Sequence, residues 1–271
     1  MQQIASQVRF ATTRLATGPR VRYAEQGDPG GEPIVFLHGY TDSWWSFSRL
    51  LPLLAGERYH AYALDQRGHG DSERPESGYA PDDFAADVVA FLDAVGAPRA
   101  TVVGHCLGGF IAARVAATYP ERVARLVILN AAATPANAAT LGLQEEIRAL
   151  QDPVPAELVI EFQSGTVHVP VPEAFFEQVV AESLKLPARV WRSVLDGLLA
   201  ADSGDHLGRI AAPTLILGGE RDAIYPPENQ QRLAAAIPGA RVTIYPETGH
   251  TPHWERPERV AADLDAFVRV T

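Results

Sequence analysis

Short apolar runs alternate with longer stretches of helical spacing along most of the chain. The runs Ile34–Leu37, Thr101–Val103 and Leu126–Leu129 are continuous, as expected of strands buried on both faces of a sheet. Between two of them, Pro81 to Val95 carries apolar residues at helical spacing and is followed by Gly96, which predicts a helix. The alternation predicts an α/β fold, with a mostly parallel central sheet and helices on both faces.

The same pattern predicts the remaining elements. They are strands at Val8–Ala11, Val21–Ala24, Tyr59–Leu64, Pro213–Gly218 and Val242–Tyr245, and helices at Ser46–Leu54, Phe110–Tyr119, Glu228–Ala236 and Pro257–Val268.

The alternation stops after Asn130. Residues 131–208 contain helix-like segments separated by prolines, without strand-like alternation. In open α/β sheets, ligands bind at the carboxyl ends of the strands, where such an insertion would lie. We therefore expect a core of residues 1–130 and 209–271, with residues 131–208 as a helical lid over the site.

The totals narrow the class of protein. A chain of 271 residues with 46% apolar and 21% charged residues is typical of a globular domain with a well-buried core. The net charge of −10, without a basic cluster, argues against a nucleic acid partner. We find no secretory leader pattern and no apolar run of membrane-spanning length, so we expect a cytoplasmic protein with no membrane partner. These features fit a monomer and a homodimer equally well.

The stretch after the strand Thr101–Val103 carries the candidate nucleophile. Gly104-His105-Cys106-Leu107-Gly108 links that strand directly to a helix, and Cys106 is the single cysteine of the chain. Glycines on both sides of a central side chain are typical of a nucleophile elbow, in which the neighbouring backbone approaches closely. One cysteine also excludes an internal disulfide and a multi-cysteine metal site.

Partners for the thiol are expected where other strands end. Asp222 follows the strand at Pro213–Gly218 and is the candidate orienting acid, while His250 follows Val242–Tyr245 and is the candidate base. Asn130 occupies another possible acid position, but an amide cannot stabilise an imidazolium by charge. His253 is the rival base, which we expect to be structural. The order of nucleophile, acid and histidine is that of the α/β-hydrolase elbow enzymes.

The remaining site residues would bind the substrate. The backbone N–H groups of Tyr40 and Leu107 are the candidate oxyanion donors. Trp44, His105 and Trp191 are candidates for the lining of the substrate pocket.

These motifs together carry a family resemblance. His38-Gly39-Tyr40, Asp65–Ser72, Gly104–Gly109, Gly219–Asp222 and Gly249–Pro257 occur in the order of the α/β-hydrolase superfamily. The chain resembles its capped esterase- and lactonase-like branch. The resemblance implies a hydrolase that acts on a small-molecule ester, lactone or thioester without a metal or an organic cofactor.

Cys106 departs from the family pattern, which mostly has serine at this position. Epoxide hydrolases and haloalkane dehalogenases have aspartate there, so their chemistry is disfavoured, whereas dienelactone hydrolases and polyhydroxyalkanoate synthases have cysteine. We expect Cys106 to form a thioester while cleaving an ester or lactone, with a Cys106–His250–Asp222 triad. An acyltransferase, a thioesterase, a C–C bond hydrolase and a non-enzymatic ligand-binding protein are the alternatives.

Overall fold

The computed structural model describes residues 8–54, 58–201 and 206–271. Within these ranges one sheet is formed. Its strands are β1 (Arg9–Arg14), β2 (Arg20–Gly27), β3 (Glu32–Leu37), β4 (Tyr59–Leu64), β5 (Ala100–His105), β6 (Val123–Leu129), β7 (Thr214–Gly219) and β8 (Arg241–Tyr245). The spatial order is β1-β2-β4-β3-β5-β6-β7-β8. Strand β2 pairs antiparallel with β1 and β4, and the other neighbouring pairs are parallel.

The α-helices follow β4, lying between the later strands and after the last one. They are α1 (Pro81–Ala94), α2 (Leu107–Thr118), α3 (Ala138–Ile147), α4 (Ala156–Ser164), α5 (Glu173–Ser183), α6 (Ala188–Ala200), α7 (Pro227–Ala236), α8 (Pro252–Glu255) and α9 (Pro257–Val270).

Both faces of the sheet are buried, because alternate residues of its strands enter two different apolar clusters. On β3, Val35 packs in the cluster that also holds residues of α1 and α2, while Phe36 packs in the cluster that holds Leu264 of α9. Side chains in a strand alternate between the two faces, so helices must cover both. The predicted fold class, a mostly parallel sheet with helices on both faces, is confirmed.

One predicted helix is wrong. Residues 46–54 do not form a continuous α-helix, because a turn at residues 48–50 separates two 3-10 segments, Trp44–Phe47 and Leu51–Leu54. Pro52 lies within this stretch and has no N–H to donate, so the i to i−4 ladder of an α-helix cannot run through it.

Helices α3 to α6 lie between β6 and β7, within the predicted lid. Helix α6 contacts the core so closely that a Cβ on Gly197 would lie 2.3 Å from the carbonyl oxygen of Tyr79. Residues 202–205 of the predicted lid and residues 1–7 and 55–57 of the predicted core lie outside the described residues. Across the ranges that the structure describes, no helix is long and apolar enough to cross a membrane.

Candidate active site

Cys106 occupies a strained turn between β5 and α2. Its φ is 49° and its ψ is −115°, in a region that side-chain-bearing residues seldom adopt. Gly108 is required here because a Cβ would lie 2.1 Å from the carbonyl oxygen of Leu37. Gly104 is required for the same reason, since its Cβ would lie 2.0 Å from the carbonyl oxygen of Gly108. The two glycines let α2 start directly against the sheet, with the thiol at the turn.

Asp222 and His250, which lie 28 residues apart, meet beside this turn. The Nδ1–H of His250 donates to Oδ2 of Asp222 at 2.9 Å, and both side chains are buried. The other carboxylate oxygen accepts from the backbone N–H groups of Ile224 and Tyr225, at 2.8 and 2.9 Å. These bonds hold the carboxylate in one orientation and place the Nδ1 proton of the imidazole toward it.

The charges of this pair reinforce each other. Burial opposes ionisation of Asp222, but the charge of His250 and the hydrogen bonds to the carboxylate lower its pKa. Burial also opposes protonation of His250, yet the charges of Asp222 and Cys106 raise the pKa of the imidazole well above 6.5. Cys106 raises the pKa of His250 both through its charge and as a hydrogen-bond partner, which places the sulfur on the Nε2 side of the imidazole, since Nδ1 is bonded to Asp222. The imidazole can therefore exchange a proton at Nε2 with the sulfur or with a bound substrate.

Asn130 has a function that the sequence did not reveal. It lies just after β6 with a φ of 44°, and its Nδ2–H donates to Oδ2 of Asp222 at 2.6 Å. The amide does not replace the acid but adds a further hydrogen bond to it, and it supports the lowered pKa of Asp222. The sequence position of Asn130, directly after a parallel strand, could have indicated that it lies near Asp222, because residues at such positions converge on one edge of the sheet.

Two backbone donors are available next to Cys106. Within the described residues, the N–H groups of Tyr40 and Leu107 donate no hydrogen bond, although both residues are buried. The loop of Tyr40 is tied to the elbow, since the N–H of Gly108 donates to the carbonyl oxygen of His38 at 3.1 Å. The ring of His38 is a structural part of this loop, because its Nδ1–H donates to Gly39 and its Nε2 accepts from Gln66. An oxyanion on a carbon atom bonded to the sulfur could accept hydrogen bonds from both N–H groups.

A pocket with about 260 Å³ of empty space, part of it open to solvent, lies at Cys106. Its lining combines polar and aromatic residues: Tyr40, Asp42, His105, Cys106, Phe162, Gln163, Thr166, Ile224, His250, Thr251 and Trp254. A more apolar hollow of about 390 Å³ lies elsewhere, between α2 and the residues after β6, and does not include Cys106. The smaller cavity is the relevant one because it contains the thiol and the imidazole.

Of the three predicted pocket residues, His105 lines this cavity and the two tryptophans do not. Trp191 is fully buried and packs against Tyr40 and Phe162, two residues that do line the cavity, so it contacts the lining without facing the cavity itself. Trp44 packs edge-to-face on Phe10, and its backbone N–H donates to the carboxylate of Asp65. Aromatic residues at helical spacing gave no information about which ring faces the cavity.

A buried acid in the lining was missed by sequence reasoning. Asp42 is 4% exposed, and burial raises the pKa of its carboxyl to about 7, despite hydrogen bonds from Gln163 and Ser46. His105 is next to it, and burial lowers the pKa of this histidine to about 3. The proximity of Asp42 to Tyr40 in sequence was the available signal. Gln163, a polar residue within α4, carried no such signal in the sequence.

His253, the rival base, is not among the residues that line the cavity at Cys106. Its Nε2 is 2.9 Å from Oγ of Ser46, and burial lowers its pKa well below 6.5. In the part of the chain that the structure describes, no group of three or more histidine, cysteine or acidic residues could hold a metal ion.

Comparison with known proteins identifies one family. A family model described as "alpha/beta hydrolase fold" matches residues 32–257. RutD of Variovorax paradoxus, named as a proposed carbamate hydrolase, is 34% identical over 239 residues, covering 85% of this chain and 89% of its own length. Lipase 1 of Psychrobacter immobilis is 27% identical, covering 97% and 84%. Among solved structures, a hydrolase from Pseudomonas aeruginosa superposes with a TM-score of 0.87 at 24% identity, covering 96% of this chain and 98% of its own.

Proposed function

The chain belongs to the α/β-hydrolase fold family, and we propose that it cleaves a carboxylic ester or lactone through a thioester on Cys106. The observation that carries this proposal is that the thiol lies beside the buried His250–Asp222 pair, next to two N–H groups that find no acceptor among the described residues. Esterases and lipases among the similar proteins fit the same reaction class. The small cavity at the thiol favours a small acyl group.

In the first half-reaction, the sulfur attacks the substrate carbonyl. A protonated His250 beside the sulfur favours the thiolate, which forms a C–S bond as the carbonyl electrons move to oxygen. The N–H groups of Tyr40 and Leu107 stabilise that oxyanion. As the intermediate collapses, the ester C–O bond breaks and the leaving alkoxide takes the proton from Nε2 of His250.

In the second half-reaction, water replaces the alcohol. The now neutral His250 takes a proton from water, and the resulting hydroxide attacks the thioester carbon. The C–S bond breaks and Cys106 leaves as the thiolate, with the carboxylic acid as product. Asp222 remains ionised throughout and stabilises the imidazolium each time it forms.

The proposal is tested with p-nitrophenyl butyrate, following nitrophenol release together with the intact mass of the protein. We expect release by the wild type and a butyryl mass that disappears on substitution of Cys106 by alanine. Cys106→Ser is the matched variant, because a hydroxyl at the same elbow keeps the geometry and should retain an acyl-enzyme. Turnover by a folded Cys106→Ala protein would overturn the assignment.

The fate of the acyl group separates hydrolysis from transfer. Steady release of nitrophenol indicates an esterase with water as acceptor. A single burst with a stable adduct, discharged by an added alcohol or amine, would instead identify an acyltransferase. Ligand binding with no adduct under any of these conditions would identify a binding protein on a hydrolase scaffold.

A further inference from the structure

Asp42 is a buried acid that the triad mechanism leaves unused. It lines the same cavity as Cys106 and His250. Its Oδ1 accepts from Nε2 of Gln163 at 3.1 Å, and its Oδ2 accepts from Oγ of Ser46 at 3.3 Å. Both donors are neutral, so no cation hydrogen-bonds to this carboxylate among the described residues. A carboxylate kept in such a place requires an explanation, because burial penalises its ionised form.

A second unused polar atom faces this carboxylate. Nε2–H of His105 donates to the carbonyl oxygen of His250 at 2.9 Å, which leaves Nδ1 as an acceptor. That Nδ1 is buried, finds no hydrogen-bond partner among the described residues and lies 4.0 Å from Oδ2 of Asp42. The separation is too long for a direct hydrogen bond and suits a water molecule that donates to both atoms.

The other ionisable groups near Asp42 come from three directions. His250 and Cys106 line the same cavity, and His253 reaches Asp42 through Ser46. From the lid, helix α4 contributes the neutral amide of Gln163 to this contact. Burial raises the pKa of Asp42 to about 7, although the charge of His250 opposes this rise. The carboxyl therefore changes charge in the neutral range, in a cavity where His105 stays neutral.

We propose that Asp42 and His105 hold the water molecule that hydrolyses the acyl-enzyme on Cys106, with Asp42 as the positioning residue. This inference rests on the function proposed above. In the resting state the water donates one hydrogen bond to Oδ2 of Asp42 and one to Nδ1 of His105. During attack it keeps the bond to Asp42 and transfers its other proton to Nε2 of His250. Its oxygen then bonds to the thioester carbon, and the C–S bond breaks to release the Cys106 thiolate.

The ionised Asp42 accepts the Ser46 bond and the water bond at Oδ2 more strongly than the neutral carboxyl does, because hydrogen bonds to a charged acceptor are stronger. Deacylation should therefore increase as pH rises through about 7, where Asp42 loses its proton. Acylation uses no water and should not depend on this group. A residue with a merely structural role would affect both half-reactions alike. It would not make deacylation depend on pH near 7 while leaving acylation unchanged.

The experiment is a stopped-flow burst assay with p-nitrophenyl butyrate between pH 5.5 and 8.5, in which the burst reports acylation and the steady phase reports deacylation. We expect Asp42→Asn to lower the deacylation rate on the order of 10- to 100-fold and to flatten its rise near pH 7, with the burst rate little changed. Asp65→Asn is the control. Burial also raises the pKa of the Asp65 carboxyl, to about 6, but this residue does not line the cavity.

A second variant keeps the test informative if Asp42→Asn folds poorly. Ser46→Ala removes a hydrogen bond that favours the ionised carboxylate, so the rise in deacylation should move to higher pH while Asp42 itself is retained. Unchanged deacylation in both variants would overturn the inference alone. A slower burst or a raised KM would assign Asp42 to substrate binding and overturn it as well. A wild type that releases no nitrophenol and forms no butyryl adduct on Cys106 would overturn the proposed function and, with it, this inference.

Discussion

Replacing Asp42 by asparagine should stabilise the protein, and the gain should grow with pH. The native carboxyl ionises near pH 7, because burial raises its pKa, whereas in the unfolded chain it ionises near the ordinary value of 3.8. Between these values the native state binds more protons than the unfolded state, so the free energy of unfolding falls as pH rises. Asparagine has the same shape, fills the same space and does not titrate.

The magnitude follows from the two pKa values. One pKa unit is worth about 1.4 kcal/mol, so ionising this carboxyl in the native state costs up to about 4 kcal/mol by pH 8. At pH 4.5 most of that cost is absent, since the native carboxyl is protonated. The difference in the free energy of unfolding between Asp42→Asn and the wild type should therefore be small at pH 4.5 and increase to a few kcal/mol at pH 8.

The measurement is urea unfolding followed by circular dichroism, with both proteins at pH 4.5, 6 and 8. Glu146→Gln is the control, because Glu146 is an exposed carboxyl on α3 and its loss should change stability by less than about 0.5 kcal/mol at each pH. A pH-independent difference for Asp42→Asn, or a destabilisation that increases with pH, would refute the reasoning. A gain in stability together with slower deacylation would mean that the buried acid is retained for function.

Three further predictions concern the elbow and the triad. Asp222→Asn removes the charge that raises the pKa of His250, so the burst rate with p-nitrophenyl butyrate should fall on the order of 10³-fold, and a fall below tenfold would contradict the assignment. Asn130→Gly keeps a residue suited to the positive φ but removes the 2.6 Å bond to Asp222, so the same assay should show an intermediate loss, with an unchanged rate arguing that this bond is idle. Gly108→Ala should lower the melting temperature and abolish the burst, because its Cβ would meet a carbonyl oxygen at 2.1 Å. Gly142→Ala is the matched control, since its Cβ would meet nothing within 4 Å and should stabilise α3 by about 1 kcal/mol, measured by thermal unfolding.

The fold class was readable in the sequence because its signals are local. Continuous apolar runs such as Ile34–Leu37 can be satisfied only by burial on both faces, and that requirement leads to a parallel sheet with helices on each side. The glycines around Cys106 are local signals of the same kind, because a tight turn against a strand excludes any Cβ. The prediction of a helix at Ser46–Leu54 is wrong because the apolar spacing there is helical but Pro52 has no N–H to donate to a helical hydrogen bond.

The order of Cys106, Asp222 and His250 along the chain, each following a strand, was likewise sufficient to predict that they meet. The carboxyl ends of parallel strands lie at one edge of the sheet, so residues far apart in sequence are brought together by topology alone. The support of Asp222 by Asn130 needed the structure, because a 2.6 Å hydrogen bond depends on the relative register of two strands and on a local positive φ.

What the sequence by itself determined is therefore the α/β architecture, the tight turn at Cys106 and the convergence of Cys106, Asp222 and His250, since each follows from local sterics or from strand topology. Tertiary structure alone decided which side chains face the thiol. It left Trp44 and Trp191 outside the cavity lining and brought Gln163 of α4 into hydrogen-bonding distance of Asp42. It also raised the pKa of Asp42 to about 7. The physical reason is that burial and electrostatics are properties of an environment assembled from distant segments, and no periodicity along the chain encodes them.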